Sequence, residues 1–249
     1  MIENVEQFFS QLSQRFYTSS SDNPLSLWKF FDTFSHSGEF VSGFGYTLAV
    51  SFCALLLAIL LGVVNGAIAS GRIVSLKACA RIYVEIFQNT PLVIQIFFFY
   101  FALPPLGINL SVFIVGVIGI GLYHGAYISE VVRAGILSVP KGQFEASTSQ
   151  GFTYIQQMRF VILPQTIKII LPPLTNQVVN LIKNTSVLLI IAGGEIMYVA
   201  DIYAADSGNY APAYLFTAVF YFIICYPLAN LAKSYEDRLK NAHLHRETA

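Results

Sequence analysis

Charge is what this chain has least of. Asp, Glu, Lys and Arg make up 11% of its 249 residues, against about 25% in a soluble domain. Hydrophobic residues reach 55%. Together these values exclude an ordinary soluble domain and point to a membrane protein. The charges that are present cancel, 14 basic against 14 acidic, so no basic field exists for nucleic acid. Cysteine is scarce as well. Cys53 and Cys225 lie in apolar segments and Cys79 near a segment end, a spacing that suggests neither a disulfide framework nor a zinc site, so no metal is expected. No G-x-x-x-x-G-K-[ST] occurs, which excludes a P-loop for ATP within this chain. H-E-x-x-H and G-x-S-x-G are missing too, and the polar groups in apolar segments form no nucleophile–base set, so an intramembrane enzyme is not expected. The first forty residues lack a basic start with an apolar core and a small-residue cleavage site, so no signal peptide is expected.

What is there is a series of long apolar runs. About five suit membrane crossing, each near the roughly 20 residues that a bilayer requires, and the expected fold is an all-α integral membrane protein. The first span covers about Phe44 to Ser70 and contains Gly62 and Gly66, a small-xxx-small pattern that lets a neighbouring helix approach. Arg72, Lys77 and Arg81 then read as a short connection. The second covers about Arg81 to Leu103, interrupted at Gln88-Asn89-Thr90-Pro91, and the third about Leu110 to Val132. In that third span a lone His124 reads as a satisfied packing residue and Glu130 as an i, i+3 partner of Arg133. The fourth, about Phe160 to Ile182, holds Pro164, Pro172, Pro173, Lys168, Asn176 and Asn180. So many breakers and polar groups are costly in lipid, so this segment is expected in the interior. The last covers about Ala213 to Ala232. Before the spans, Val5, Phe8, Phe9, Leu12 and Phe16 form an amphipathic stripe and Leu25 to Phe34 a short aromatic run, both expected as helices at the membrane surface. The expected division is therefore an extracytoplasmic or interfacial segment 1–40, a membrane domain 41–232 and a charged cytoplasmic tail 233–249.

Basic residues cluster on one side of the five-span arrangement: Arg72, Lys77 and Arg81, then Arg133, Lys141 and Arg159, then Lys233, Arg238, Lys240 and Arg246. The other side holds Asp22, Asp32, Glu39, Asp201 and Asp206, with only Arg15 and Lys29 as bases. The positive-inside rule then puts the amino terminus outside and the carboxyl terminus in the cytoplasm. It also puts the polar insert between spans three and four, within 133–160, on the cytoplasmic side. That insert opens on the Pro140-Lys141-Gly142 turn and continues as a short helix from Gln143 to Gln150. Gly151 is suited to the left-handed cap, and apolar sequence resumes at Ile162-Leu163-Pro164.

Glu145-Ala146, then Gly151, then Ile162-Leu163-Pro164 resembles the EAA signature of permease subunits in ATP-binding-cassette importers. The flanking A-Y-I-S-E-V-V-R-A-G-I and L-P-Q-T-I-K-I-I-L-P-P-L-T-N resemble the polar amino-acid branch of that family, and the likeness runs from about Gly43 to Leu231. The resemblance implies a type I importer permease fold in a bacterial inner membrane. It implies a coupling helix that docks in a groove of a separate ATPase, through Phe144, Glu145, Ala146, Ser147 and Gly151. Phe144, Phe152 and Ile155 would anchor it, as helix-in-groove docking requires. Ser147 stands where the pattern usually has a second alanine. Implied partners are two ATPase subunits, which bind ATP-Mg in place of this chain, a second permease chain and an extracytoplasmic amino-acid-binding protein. No cofactor of its own is implied.

A zwitterion crossing a membrane cavity needs donors for its carboxylate and acceptors for its ammonium. Thr90, Gln95, Asn180, Lys183, Asn184, Thr185 and Ser186, with Gln88, are the candidates for that path; each can instead satisfy broken helix backbone. Related permeases often read K-D-T-S where this chain has Lys183-Asn184-Thr185-Ser186, so the resemblance favours a neutral or acidic amino acid over a cationic one. The alternative is an ATP-independent secondary transporter or channel, suggested by Asn176, Asn180 and Lys183. Against it stand the odd span count and the absence of a visible internal repeat.

Overall fold

The structure, a computed structural model, describes residues 25–71 and 73–247, with backbone alone at 235 and 238–247. The Val5–Phe16 stripe and Arg72 lie outside the described residues. Among the described residues every regular element is helical. We number them α1 (Leu27–Ser35), α2 (Ser37–Ser70), α3 (Val74–Gln88), α4 (Leu92–Phe97), α5 (Val112–Leu137), α6 (Lys141–Ser149), α7 (Tyr154–Gln157), α8 (Leu163–Asn184), α9 (Ile196–Ser207) and α10 (Tyr210–Glu247). Wide π-turns continue α4 over Phe98–Ala102 and join α7 to α8 over Met158–Ile162, and a 3-10 segment, Thr185–Ile191, continues α8.

Three helices, α2, α5 and α10, are individually long and apolar enough to cross a membrane. Two bent pairs make five if each is one crossing: α3 with the α4 segment at 99°, and the α7–α8 segment with α9 at 46°. The sequence-based boundaries shift in three places. Lys77 and Arg81 lie inside α3 rather than in a connection, because the helix starts at Val74 and Arg81 pairs with Glu85 one turn on. The second span is a sharp elbow rather than an interrupted rod, since Pro91 has no N–H to continue the α3 ladder. The insert is almost wholly helix. Thr153 and Gln156 form a reciprocal capping box that starts helix at Tyr154, and Pro164 is tolerated because it sits in the first turn of α8.

Lipid offers helices no hydrophobic drive toward one another, so close packing holds them together. α2 lies along α5 at the two glycines of the small-xxx-small pattern. A Cβ on Gly62 would come within 3.1 Å of the Ser129 amide nitrogen, and one on Gly66 within 2.6 Å of the Ser129 carbonyl. Val50, Ala54 and Ala58 of α2 share a core with Ile120, Ile128 and Val132 of α5, Leu92 and Ile96 of α4, and Ile170 and Leu181 of α8. A second cluster joins Phe40 of α2, Ile196, Ala200 and Tyr203 of α9 and Ala213 of α10. At that end Asp32 accepts from Tyr203 (2.7 Å) and Asn209 (2.9 Å), which ties α1 to α9 and to the start of α10. At another place Lys77, Arg81, Glu85, Glu130 and Arg133 line a cavity of about 430 Å³, where Glu130 and Arg133 form the anticipated i, i+3 pair.

Candidate functional site

α8 carries the polar residues. Asn176, Asn180 and Lys183 recur at i, i+4 and i+7, which places them on one helical face, and all three are exposed. Pro172 and Pro173 lie within α8 on the way to that face. One turn around the helix, Asn184 is half-buried and its Nδ2 lies 3.0 Å from His124 Nε2 on α5. His124 Nδ1 lies 3.2 Å from Gln177 Oε1, and the imidazole is almost completely buried. His124 is thus a satisfied histidine, as expected, but one of its two amide partners, Asn184, belongs to the candidate path.

The other candidate path residues turn to the backbone. Thr90 Oγ1 donates to the Ile86 carbonyl at 2.7 Å. Gln95 is buried, and its amide donates to the Phe87 and Thr90 carbonyls at 3.0 Å each, closing the elbow between α3 and α4. Gln88 donates to the Ala126 carbonyl across to α5. Thr185 is buried and donates to the Ile182 carbonyl, while Ser186 donates to the Lys183 carbonyl. Of the named set, the exposed polar groups are Asn180 and Lys183, with half-buried Asn184 beside them.

A buried carboxylate escaped the sequence reading. Glu195 is fully buried and caps α9, accepting from the Met197 and Tyr198 amides at 2.7 and 2.8 Å. Tyr221 of α10 donates to it at 3.3 Å and lies 3.4 Å from Thr185 Oγ1. The chain reaches this cap through Ala192 and Gly194, both in the left-handed region with φ of 55° and 68°. The Ala-Gly-Gly run before Glu195 was the available signal.

The insert presents a pinned surface helix. Phe144 of α6 is half-buried against the main core, and Ser147 is buried with its hydroxyl donating to the Gln143 carbonyl. Glu145 and Ala146 face outward. Gly151 closes the helix with φ of 77°, its N–H donating to the Thr148 carbonyl. Gln157, buried at the end of α7, donates to the Phe144 carbonyl and Ser147 Oγ, with Thr148 Oγ1 at 3.2 Å. Phe144 and Ser147 therefore seat the helix on its own chain. Phe152, Tyr154 and Ile155, which follow α6 in the chain, are exposed, Ile155 to 76%.

Comparison with known proteins identifies this arrangement. Residues 54–241 match the family described as binding-protein-dependent transport system inner membrane component. The chain is 42% identical over 216 residues to the probable glutamine ABC transporter permease protein GlnM of Bacillus subtilis (strain 168), covering 86% of this chain and 97% of that one. It is 34% identical over 199 residues to the probable glutamine ABC transporter permease protein GlnP of the same organism, covering 79% and 91%. A solved amino acid ABC transporter with histidines superposes with a TM-score of 0.78 at 32% identity, over 84% of this chain and 98% of that one. The inward-facing MetNI methionine ABC transporter shares the fold at a TM-score of 0.60 and 16% identity.

The chain belongs to the family of binding-protein-dependent transport system inner membrane components. It is a multi-pass inner-membrane permease subunit with the type I ABC importer fold, a transport subunit and not an enzyme. Membership carries with it, in general, an ATPase partner and a substrate-binding protein.

Proposed function

We infer that the chain forms the translocation path of an ATP-driven importer for a polar amino acid, neutral or acidic rather than cationic. The observation that carries this reading is the exposed polar face of α8, Asn176, Asn180 and Lys183, within an otherwise apolar bundle. In a bilayer such a face must meet protein or water. It therefore looks onto a polar passage completed by a second permease chain, identical or homologous. Lys183 supplies a cation for the substrate carboxylate, and Asn180 and Asn184 supply amides for its nitrogen. Residues 146–194 contain no Asp or Glu, so a cationic side chain beside Lys183 finds no counter-charge on this stretch. The relatives named for glutamine support the neutral choice.

Coupling rests on α6. Exposed Glu145 and Ala146, with exposed Phe152 and Ile155 soon after them in the chain, have the composition of a helix-in-groove contact, here with a separate ATPase that binds ATP-Mg. Two ATPases closing on nucleotide would swing two such helices as rigid bodies. The amino terminus outside and this helix inside follow the charge bias of the sequence, and an extracytoplasmic binding protein would deliver the substrate at the opposite end. The test is co-reconstitution of the chain with its ATPase and binding protein in liposomes. ATP hydrolysis stimulated by glutamine, glutamate or aspartate, and lost in Glu145→Lys, is expected. Stimulation strongest with arginine or lysine would overturn the substrate class. Uptake that ignores ATP depletion but stops with a protonophore would make the protein a secondary transporter instead.

A further inference from the structure

We propose that His124 is a positioning residue that turns the carbonyl end of Asn184 toward the translocation path, making that point of the site a hydrogen-bond acceptor. The proposal rests on the path assigned to α8 above. An amide nitrogen can only donate, so Asn184 Nδ2, 3.0 Å from Nε2, makes Nε2 the acceptor of that bond. A neutral imidazole has one donor and one acceptor. Nδ1 then carries the hydrogen and donates to Gln177 Oε1 at 3.2 Å. The two amides sit seven residues apart on α8, two turns along one face. The histidine between them makes their orientations interdependent. Reversing Gln177 would move the ring hydrogen to Nε2 and force Asn184 to turn its oxygen inward.

The ring itself is held. His124 is 1% exposed, with the Tyr123 ring at 5.3 Å and the Tyr127 ring at 6.4 Å between centroids. Those two hydroxyls bond each other at 3.2 Å, leaving both ring nitrogens to the amides. Asn184 Oδ1 has no hydrogen-bond partner among the described residues and adjoins the exposed Lys183. A substrate there meets a cation for its carboxylate and, one residue on, a bare acceptor. That pairing selects a ligand with N–H groups at the second point, an amide side chain or an ammonium. It penalises a second carboxylate, whose oxygens would face an oxygen. With the α-ammonium held at Asn180, the substrate side chain is the group that meets Asn184, and a neutral amide amino acid is favoured there over a dicarboxylic one.

The assembled transporter, in liposomes with its ATPase and binding protein, tests this through the half-saturating concentration and maximal rate of stimulated ATP hydrolysis with glutamine and with glutamate. His124→Phe keeps a ring between the tyrosines but removes both nitrogens. Its half-saturating glutamine concentration should rise roughly 2-fold to 10-fold, the worth of one net hydrogen bond. Its preference for glutamine over glutamate should fall, with maximal rate and assembly unchanged. His124→Gln can donate to Gln177 and accept from Asn184, and should restore the preference. Gln177→Leu removes the acceptor that holds the ring hydrogen on Nδ1 and should weaken it in the same direction. Unchanged selectivity in His124→Phe and Gln177→Leu, with altered selectivity in Asn184→Ala, would refute the positioning role and leave the path reading standing. Unchanged selectivity in Asn184→Ala and Lys183→Met together would remove the path reading itself. A fall in maximal rate alone, equal for both substrates and not rescued by Gln, would show His124 to be structural and overturn the proposal.

Discussion

Replacing Gln157 with leucine should loosen the surface helix without unfolding the bundle. The Gln157 amide reaches three acceptors on α6, at Phe144, Ser147 and Thr148, but an NH₂ has two hydrogens, so two bonds count at once. At a net value near 0.5–1.5 kcal/mol each, their loss amounts to about 1–3 kcal/mol. Leucine keeps most of the buried volume, and Ser147 still donates to the Gln143 carbonyl, so no hydroxyl is stranded as a donor. The seat of α6 should weaken by roughly 5-fold to 150-fold in its closed-to-open ratio. Hydrogen exchange of segment 141–151 in the detergent-solubilised permease reads this directly, because local opening sets the protection of those amides. Faster exchange confined to that segment is expected, together with less substrate-stimulated ATP hydrolysis in the full complex at unchanged basal hydrolysis. Identical exchange in wild type and Gln157→Leu would mean that contacts of Phe144 with the core hold the helix unaided, and the latch argument fails.

Five further substitutions, at four positions, separate packing from polar contributions, each read by thermal unfolding in detergent. Gly66→Ala drives a methyl toward the Ser129 carbonyl and should cost about 1–3 kcal/mol, whereas Gly38→Ala, with open space around it, should be neutral or slightly stabilising; equal Tm values would show that α2 and α5 are not in close contact. Glu195→Ala uncaps α9 and should cost about 0.5–2 kcal/mol, while Glu195→Gln keeps an accepting oxygen and should retain most of that; an alanine variant as stable as wild type contradicts the cap. Glu130→Gln breaks a partly exposed ion pair with Arg133 and should shift stability by less than about 1 kcal/mol; a large loss would place that pair in a drier setting than the cavity beside it provides.

The anticipated polar path and the folded one differ in an instructive way. Composition singled out Thr90, Gln95, Thr185 and Ser186 because their side chains suit a zwitterion, yet each donates to a backbone carbonyl. A hydroxyl in lipid binds the nearest carbonyl first, and that carbonyl is usually one turn back along its own helix. Among the described residues nothing makes such a claim on Asn180 and Lys183, and both remain exposed. His124 was legible as a satisfied residue, but the identity of its partners was not, since Gln177 and Asn184 lie 53 and 60 residues away.

The amino-acid sequence by itself determined the class: the scarcity of charge, the long apolar runs, the Gly62–Gly66 contact face, the Glu130–Arg133 pair and the insert with its cap at Gly151. All of these are set by composition or by interactions within a helical turn or two, which periodicity exposes. Only the tertiary structure decided the 99° elbow after α3, the Gln157 seat beneath α6, the burial of Glu195 and the outward turn of Asn176, Asn180 and Lys183. Those depend on how helices cross. In a bilayer, where most surfaces are apolar, hydrophobic pattern does not tell a face covered by protein from one covered by lipid.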